Sequence, residues 1–144
     1  MPSWSEFEAE APELAARVRE RLEAHRHKTI ATVRRDGSPR ISGTESEFRD
    51  GELWIGSMWG ALKARDLQRD PRFALHSGSD DPDHWVGDAK VAGIAEQVSE
   101  ETGKAHHFRL DLTEVSTVGL NEERTALVIV VWTPEDGVRT IKRA

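Results

Sequence analysis

Two of the three Asp-Gly pairs, Asp36-Gly37 and Asp50-Gly51, constrain this chain more than any other feature. A two-residue hairpin turn needs backbone at positive φ, which aspartate and glycine tolerate, so each pair between alternating segments predicts a reversal of antiparallel strands. Lys28 to Arg34 and Pro39 to Phe48 read as the strands around the first turn, and Glu52 to Ser57 follows the second. A chain committed to hairpins in its middle must then cover or close its strand edges.

The run Leu53 to Leu75 (LWIGSMWGALKARDLQRDPRFAL) carries the most chemistry. It reads as a strand, a glycine turn, a short helix from Ala61 to Arg69 stopped by Asp70-Pro71, and a further strand from Arg72 to Ser77. Lys63 falls in the first turn of that helix. A cation there opposes the helix dipole, and a strand running into such a helix is a place to hold an anion, most often a phosphate. The plain alternative is a surface lysine paired with Asp66 or Asp70.

Upstream, Phe7, Leu14, Val18 and Leu22 recur at helical spacing from Glu6 to Glu23. Pro12 predicts a break near Ala11 or a helix that starts at the proline, and Ser3 with Glu6 has capping-box spacing. Downstream, Gly78 to Asp88 is a polar loop anchored by Trp85. Ala89 to Val98 and His106 to Val118 read as longer strands, with Ser99 to Lys104 between them as a turn or one helical turn. Thr125 to Trp132, the most apolar strand, is expected at the centre of the sheet, and Val138 to Arg143 returns from it. Short antiparallel strands with one helix before them and one inserted predict a mainly β protein. The expected form is a β-barrel with peripheral helices, one domain over 1–144 with residues 1–27 as a helical arm.

Composition narrows the function. There are no cysteines among the 144 residues, so neither a thiolate nucleophile nor a sulfur-rich metal site is available. A net charge of -6 disfavours nucleic acid as partner, and the absence of a long apolar run disfavours a membrane span, giving a cytoplasmic protein as the expectation. The six histidines show no metal-binding spacing, and no nucleophile elbow is present, so no metal and no catalytic residue is assigned.

Three segments together, ATVRRDGSPRIS from Ala31, DGELWIGS from Asp50 and KARDLQRDPRFAL from Lys63, resemble the FMN-binding split-barrel superfamily of pyridoxamine 5'-phosphate oxidase-like proteins. That superfamily also contains reductases dependent on the deazaflavin coenzyme F420. The resemblance implies a six-stranded antiparallel Greek-key split barrel, a homodimer, and a flavin in a groove between protomers. It implies a phosphate held by Lys63 and Arg40. Backbone groups of Ile41, Ser42, Gly56 and Ser57 would face the ring and ribityl chain, with Trp59 walling the substrate side. Read from the residues alone, Arg40 is equally a cross-strand ion-pair partner, and Glu45 is either a half-buried acid or base or an edge charge.

Two departures from the family pattern stand out. Ala61 and Leu62 replace the serine and arginine that many members place before the lysine, and the C-terminal arginine-leucine-histidine element of true pyridoxamine phosphate oxidases is missing. The implied function is an oxidoreductase dependent on FMN or F420, passing hydride to or from a small-molecule substrate, but not vitamin B6 synthesis. The alternative is a non-catalytic flavin- or haem-binding module; some relatives bind haem through a histidine, for which His76 and His84 are the candidates.

Overall fold

The computed structural model describes residues 1–144. Its N-terminal arm is two helices, α1 (Trp4–Glu10) and α2 (Pro12–Ala24), separated at Ala11. Ser3 and Glu6 form the expected capping box, and Pro12 occupies the first turn of α2, where its missing N–H costs nothing. Leu14, Ala15, Val18 and Leu22 bury one face of α2, and Trp4 and Phe7 anchor α1. Trp4 lies 4.7 Å from Phe48 and Phe7 lies 4.8 Å from Trp132, so the arm is packed by aromatic contacts onto the barrel. Backbone and side-chain bonds from Trp4 and Ser5 to the carboxylate of Glu52 fix its direction.

The rest is a single antiparallel sheet of nine strands: β1 (Lys28–Val33), β2 (Pro39–Thr44), β3 (Ser46–Arg49), β4 (Glu52–Met58), β5 (Arg72–His76), β6 (Asp88–Glu101), β7 (Ala105–Leu120), β8 (Leu127–Thr133) and β9 (Gly137–Arg143). Helix α3 (Leu62–Arg69) is inserted between β4 and β5. β7 shows how the barrel splits. One of its edges pairs with β6, while the other takes β4 over Ala105 to Arg109 and β8 over Val115 to Leu120. The alternating inward residues of these strands form one core with the helical arm, including Ile30, Ile55, Leu75, Val91, Phe108, Leu110 and Leu112.

Three expectations need correction. The strand expected from Pro39 to Phe48 is two strands, because at Glu45 the chain leaves β1 and joins β4, which raises the eight strands expected along the chain to nine. β8 is one strand from the edge rather than central: it pairs only with β7 and β9. Its inner residues Val130 and Trp132 are core, whereas Leu127, Ile129 and Val131 lie on the opposite face, so apolar character on both faces came without a central place. β6 also runs on to Glu101, leaving a short turn where a longer one was expected.

The two Asp-Gly turns differ. At Asp50 and Gly51 both φ angles are positive, as a tight two-residue turn requires. At the first turn only Gly37 is positive, and Asp36 instead caps the loop by accepting from the Ser38 amide and hydroxyl. Opposite Ala92 and Gly93 of β6, β7 carries a bulge at Thr113, and a Cβ on Gly93 would overlap the carbonyl oxygen of Asp111. No helix is long and apolar enough to cross a membrane.

Candidate functional site

A groove of about 900 Å³ runs between the end of α2, the junction of β2 with β3, the outer half of β4 and the start of α3. That volume lies within the range of small-molecule sites, about 300 to 1,000 Å³. Its lining is mostly polar, with Phe48, Trp54, Ile55 and Met58 as the larger apolar surfaces.

Lys63 enters this groove from the first turn of α3, half-buried. Its Nζ donates to the carbonyl of Gly43 at 2.8 Å, leaving two of its three N–H groups without a protein acceptor. Burial pushes its pKa below the ordinary lysine value, and the carboxylate of Glu45 works against that shift. No acidic residue stands in the first turn of α3, and its N-cap, Ala61, offers no side-chain acceptor.

The carboxylates that offered a bland explanation for Lys63 are used elsewhere. Asp66, whose side chain is 3% exposed, accepts from Arg40 Nε at 2.7 Å, Thr32 Oγ1 at 2.8 Å and Arg69 Nη2 at 3.1 Å. Burial pushes its pKa up, but the bonds from Arg40, Thr32 and Arg69 outweigh burial and hold it below the usual carboxylate value. Asp70 is gripped by Arg72 at 2.7 Å, chiefly through that side-chain bond, and its pKa falls to about 2.

The expected site residues are therefore only partly brought together. Lys63, Gly56 and Ser57 line the groove. Arg40 does not line it; its guanidinium docks α3 against β1 and β2 through Asp66. Ile41 is 74% exposed on the outer face of the sheet beside Ala31 and Ala74, and Ser42 is half-buried outside the groove lining. Trp59 is half-buried in the turn before α3, stacked on the imidazole of His106 at 4.5 Å with an interplanar angle of 10°. Glu45 is an edge charge paired with Arg26 at 2.9 Å. His76 and His84 both lie away from the groove, one near Asp88 and the other exposed in a 3-10 turn.

Other groove residues went unnoticed in the sequence. Lys28 lines it with its amine bonded to the carbonyls of His25 and Arg26, and burial lowers its pKa against the pull of Glu45 and Glu23. Lys104, His27 and His107 line it as well. Nothing local marks Lys28 or Lys104. His106, which does not line the groove, is a polar residue on the inward phase of β7 with Phe108, Leu110 and Leu112.

The family profile described as pyridoxamine 5'-phosphate oxidase matches residues 14–139. Among solved structures, a pyridoxamine 5'-phosphate oxidase-related, FMN binding protein from Nostoc punctiforme aligns with a TM-score of 0.62 at 12% identity, over 90% of this chain and 94% of that one. ChuZ from Campylobacter jejuni gives a TM-score of 0.70 at 9% identity, over 90% of this chain and 63% of that one. A heme binding protein from Mycobacterium smegmatis gives 0.59 at 15% identity, over 100% of this chain and 89% of that one. Identities this low establish a shared fold. No curated protein matches the chain.

Proposed function

The chain belongs to the pyridoxamine 5'-phosphate oxidase family, and on that premise we propose that its groove binds the phosphate end of a flavin-type coenzyme at Lys63. The observation that carries this reading is a half-buried ammonium in a ligand-sized groove, with one carbonyl as its protein partner and no carboxylate within ion-pairing distance. A phosphate would meet the open N–H groups of Lys63 and reverse the unfavourable sign of a cation at a helix start. The residues present fit such a group. At Gly56 the groove wall is open, with nothing within 4 Å of where a Cβ would be, and Ser57 continues the same wall.

On this reading the protein is an oxidoreductase that uses FMN or the deazaflavin F420 with a small organic substrate. The coenzyme supplies hydride transfer when bound, and the protein binds, orients and excludes water. Arg40 contributes at one remove, by seating the helix that carries Lys63. The small-residue outer face around Ala31, Ala74 and exposed Ile41 suits a second copy of the chain, consistent with a homodimer.

The test is the absorbance spectrum of the purified protein, followed by titration with FMN and with the deazaflavin. Saturable binding with reduction by NAD(P)H and reoxidation by an added acceptor supports the enzyme; failure to bind either coenzyme removes the proposal. One observation favours a second reading, a haem-binding module without catalysis. His27 and His107 line the groove, and either is better placed there than His76 or His84 to ligate iron. The similarity to the heme binding protein of M. smegmatis supports it. A Soret shift on haem titration that is lost in His27→Ala or His107→Ala would establish this alternative.

A further inference from the structure

A second cavity, of about 370 Å³, shares no residue with the groove and falls at the small end of ligand sites, about 300 to 1,000 Å³. Helix α2 supplies Arg17, Glu20 and Arg21, whereas Arg19 and Glu23 of the same helix line the groove. β6 begins at Asp88, paired with Val118 of β7, and β7 runs on through Gly119 and Leu120 with only β8 beside it. Gly119 and Leu120, whose β6-side edge is therefore open, line the cavity. Gly87, at φ +114°, closes another wall so tightly that a Cβ would stand 2.7 Å from the Val118 carbonyl oxygen. Arg21 is the residue that these surroundings leave short of acceptors. Its side chain is 13% exposed, yet Nη1 has only the Gly87 carbonyl at 3.4 Å and Asp80 Oδ2 at 3.7 Å, and Nε is buried with no partner. Nη2 makes no bond within the protein and, unlike Nε, is not sealed off. A guanidinium carries five N–H donors, and a buried charge with so few acceptors is costly. Thr117, 9% exposed, lines the same cavity with a hydroxyl that bonds to no protein group.

We propose that this cavity binds a small aliphatic carboxylate, with its carboxyl group on Arg21 and Arg17 and its chain against Val118, Val128 and Val130. A carboxylate matches the planar fork of a guanidinium and supplies the acceptors that Arg21 lacks. Arg17 stands four positions earlier on the same helix face, exposed and in no ion pair. Val130 is buried and Val128 packs against the core, so the wall they form is apolar. The acidic residues of the lining narrow the ligand class. Asp88 is already engaged: Oδ1 accepts from Trp85 Nε1 at 2.9 Å, and Oδ2 faces His76 Nε2 at 3.6 Å. Glu20 and Glu122 are exposed and unpaired, so they oppose a doubly charged anion more than a singly charged one. Phosphate also gains nothing from the valines. A singly charged acid with an apolar body uses both halves of the cavity.

The test uses the full chain and hexanoate as probe, in a calorimetric titration at neutral pH and in amide spectra. Saturable binding is expected, with the Gly87 and Gly119 amides moving while the Gly43 and Gly56 amides of the groove stay still. Hexanol lacks the charge, and acetate and inorganic phosphate lack the apolar body; each is expected to bind at least roughly tenfold more weakly. Arg21→Lys keeps the charge but loses the planar fork, and is expected to weaken hexanoate roughly tenfold. Arg17→Ala, at an exposed position, is expected to weaken it roughly threefold. The amide map of wild type and the Arg17→Ala titration alter nothing buried, so they decide the outcome even where Arg21→Lys fails to fold. Absence of saturable binding, shifts centred on Gly43 and Gly56, affinity for hexanol equal to that for hexanoate, or undiminished affinity in Arg17→Ala overturns the proposal. Because the two cavities share no residue, none of these results depends on whether the groove binds a coenzyme.

Discussion

Asp66→Asn is the sharpest test of how α3 is seated. The carboxylate spreads three contacts over two oxygens: Oδ2 accepts from Thr32 and Arg40, Oδ1 from Arg69. Asparagine can keep its carbonyl toward Thr32 and Arg40, but its amide then faces the Arg69 donor, and the charge is gone from both arginine contacts. Hydrogen bonds to a charged group contribute about 1.5 to 3 kcal/mol against about 0.5 to 1.5 for neutral ones. Downgrading one arginine contact and losing the other costs roughly 2.5 to 4.5 kcal/mol at face value, and roughly 2 to 3 kcal/mol once the partial exposure of both arginines is discounted. The 3 to 5 kcal/mol typical of breaking a fully buried pair is an upper limit here, since the Arg40 and Arg69 side chains are 22% and 32% exposed and recover water. For a chain of this size the midpoint of thermal unfolding should drop by roughly 6 to 12 °C at pH 7. The sign of the pH dependence follows from the lowered carboxyl pKa: its contribution is complete above the unfolded value of 3.8 and is lost as pH falls through the folded value. Circular dichroism melts at pH 7 and pH 3 should show the gap between wild type and variant narrowing in acid. A gap below about 0.5 kcal/mol at neutral pH, or one that widens in acid, would refute the assignment of Asp66 as the charged dock of α3.

Three further outcomes are expected. Lys63→Ala should weaken coenzyme binding by roughly 1.5 to 3 kcal/mol while leaving the melting temperature nearly unchanged, because its only protein partner is a carbonyl at the groove; equal affinity in a titration removes Lys63 from the site. Because burial lowers the Lys63 pKa, its cation is lost earlier on the alkaline side than that of an exposed lysine, so anion affinity should fall as pH rises toward 10.5; a flat profile between pH 8 and 10 contradicts it. Gly93→Ala should abolish the soluble folded state or cost more than about 4 kcal/mol, since the added Cβ meets the Asp111 backbone in the central β6–β7 ladder; a mild melt shift would mean the bulge can relax.

What the sequence revealed was local in origin. The capping box at Ser3, the break before Pro12, the Asp50-Gly51 turn and the stop at Asp70-Pro71 each depend on residues within a few positions of one another, and each lies where expected. Lys63 was legible for a similar reason, as a cation where a helix start favours an anion. The misread features depend on contacts between distant segments. The alternation from Pro39 to Phe48 runs through Glu45 unbroken, and only the change of partner from β1 to β4 reveals two strands. Arg40 beside Pro39 gives no sign that a carboxylate 26 positions away will claim it. His106 shares the inward phase of β7 with Phe108, Leu110 and Leu112, but its contact with the Gly60 amide is reached only through the closure of the barrel.

Helix α3 connects these observations. Eight residues are too few for a helix to persist by its own hydrogen bonds, so it depends on what it packs against. Its later turns are well held, with Ala64 and Leu67 buried and Asp66 locked to β1 and β2, while its first turn has no capping side chain and carries a cation of the wrong sign. Stability within the helix is therefore graded, lowest at the end that faces the groove. An anion at that end would supply the missing acceptors and the missing negative charge together. The first turn is then the segment whose order a ligand can change most, held otherwise by the Lys63 bond to Gly43 and by the bonds of the preceding turn.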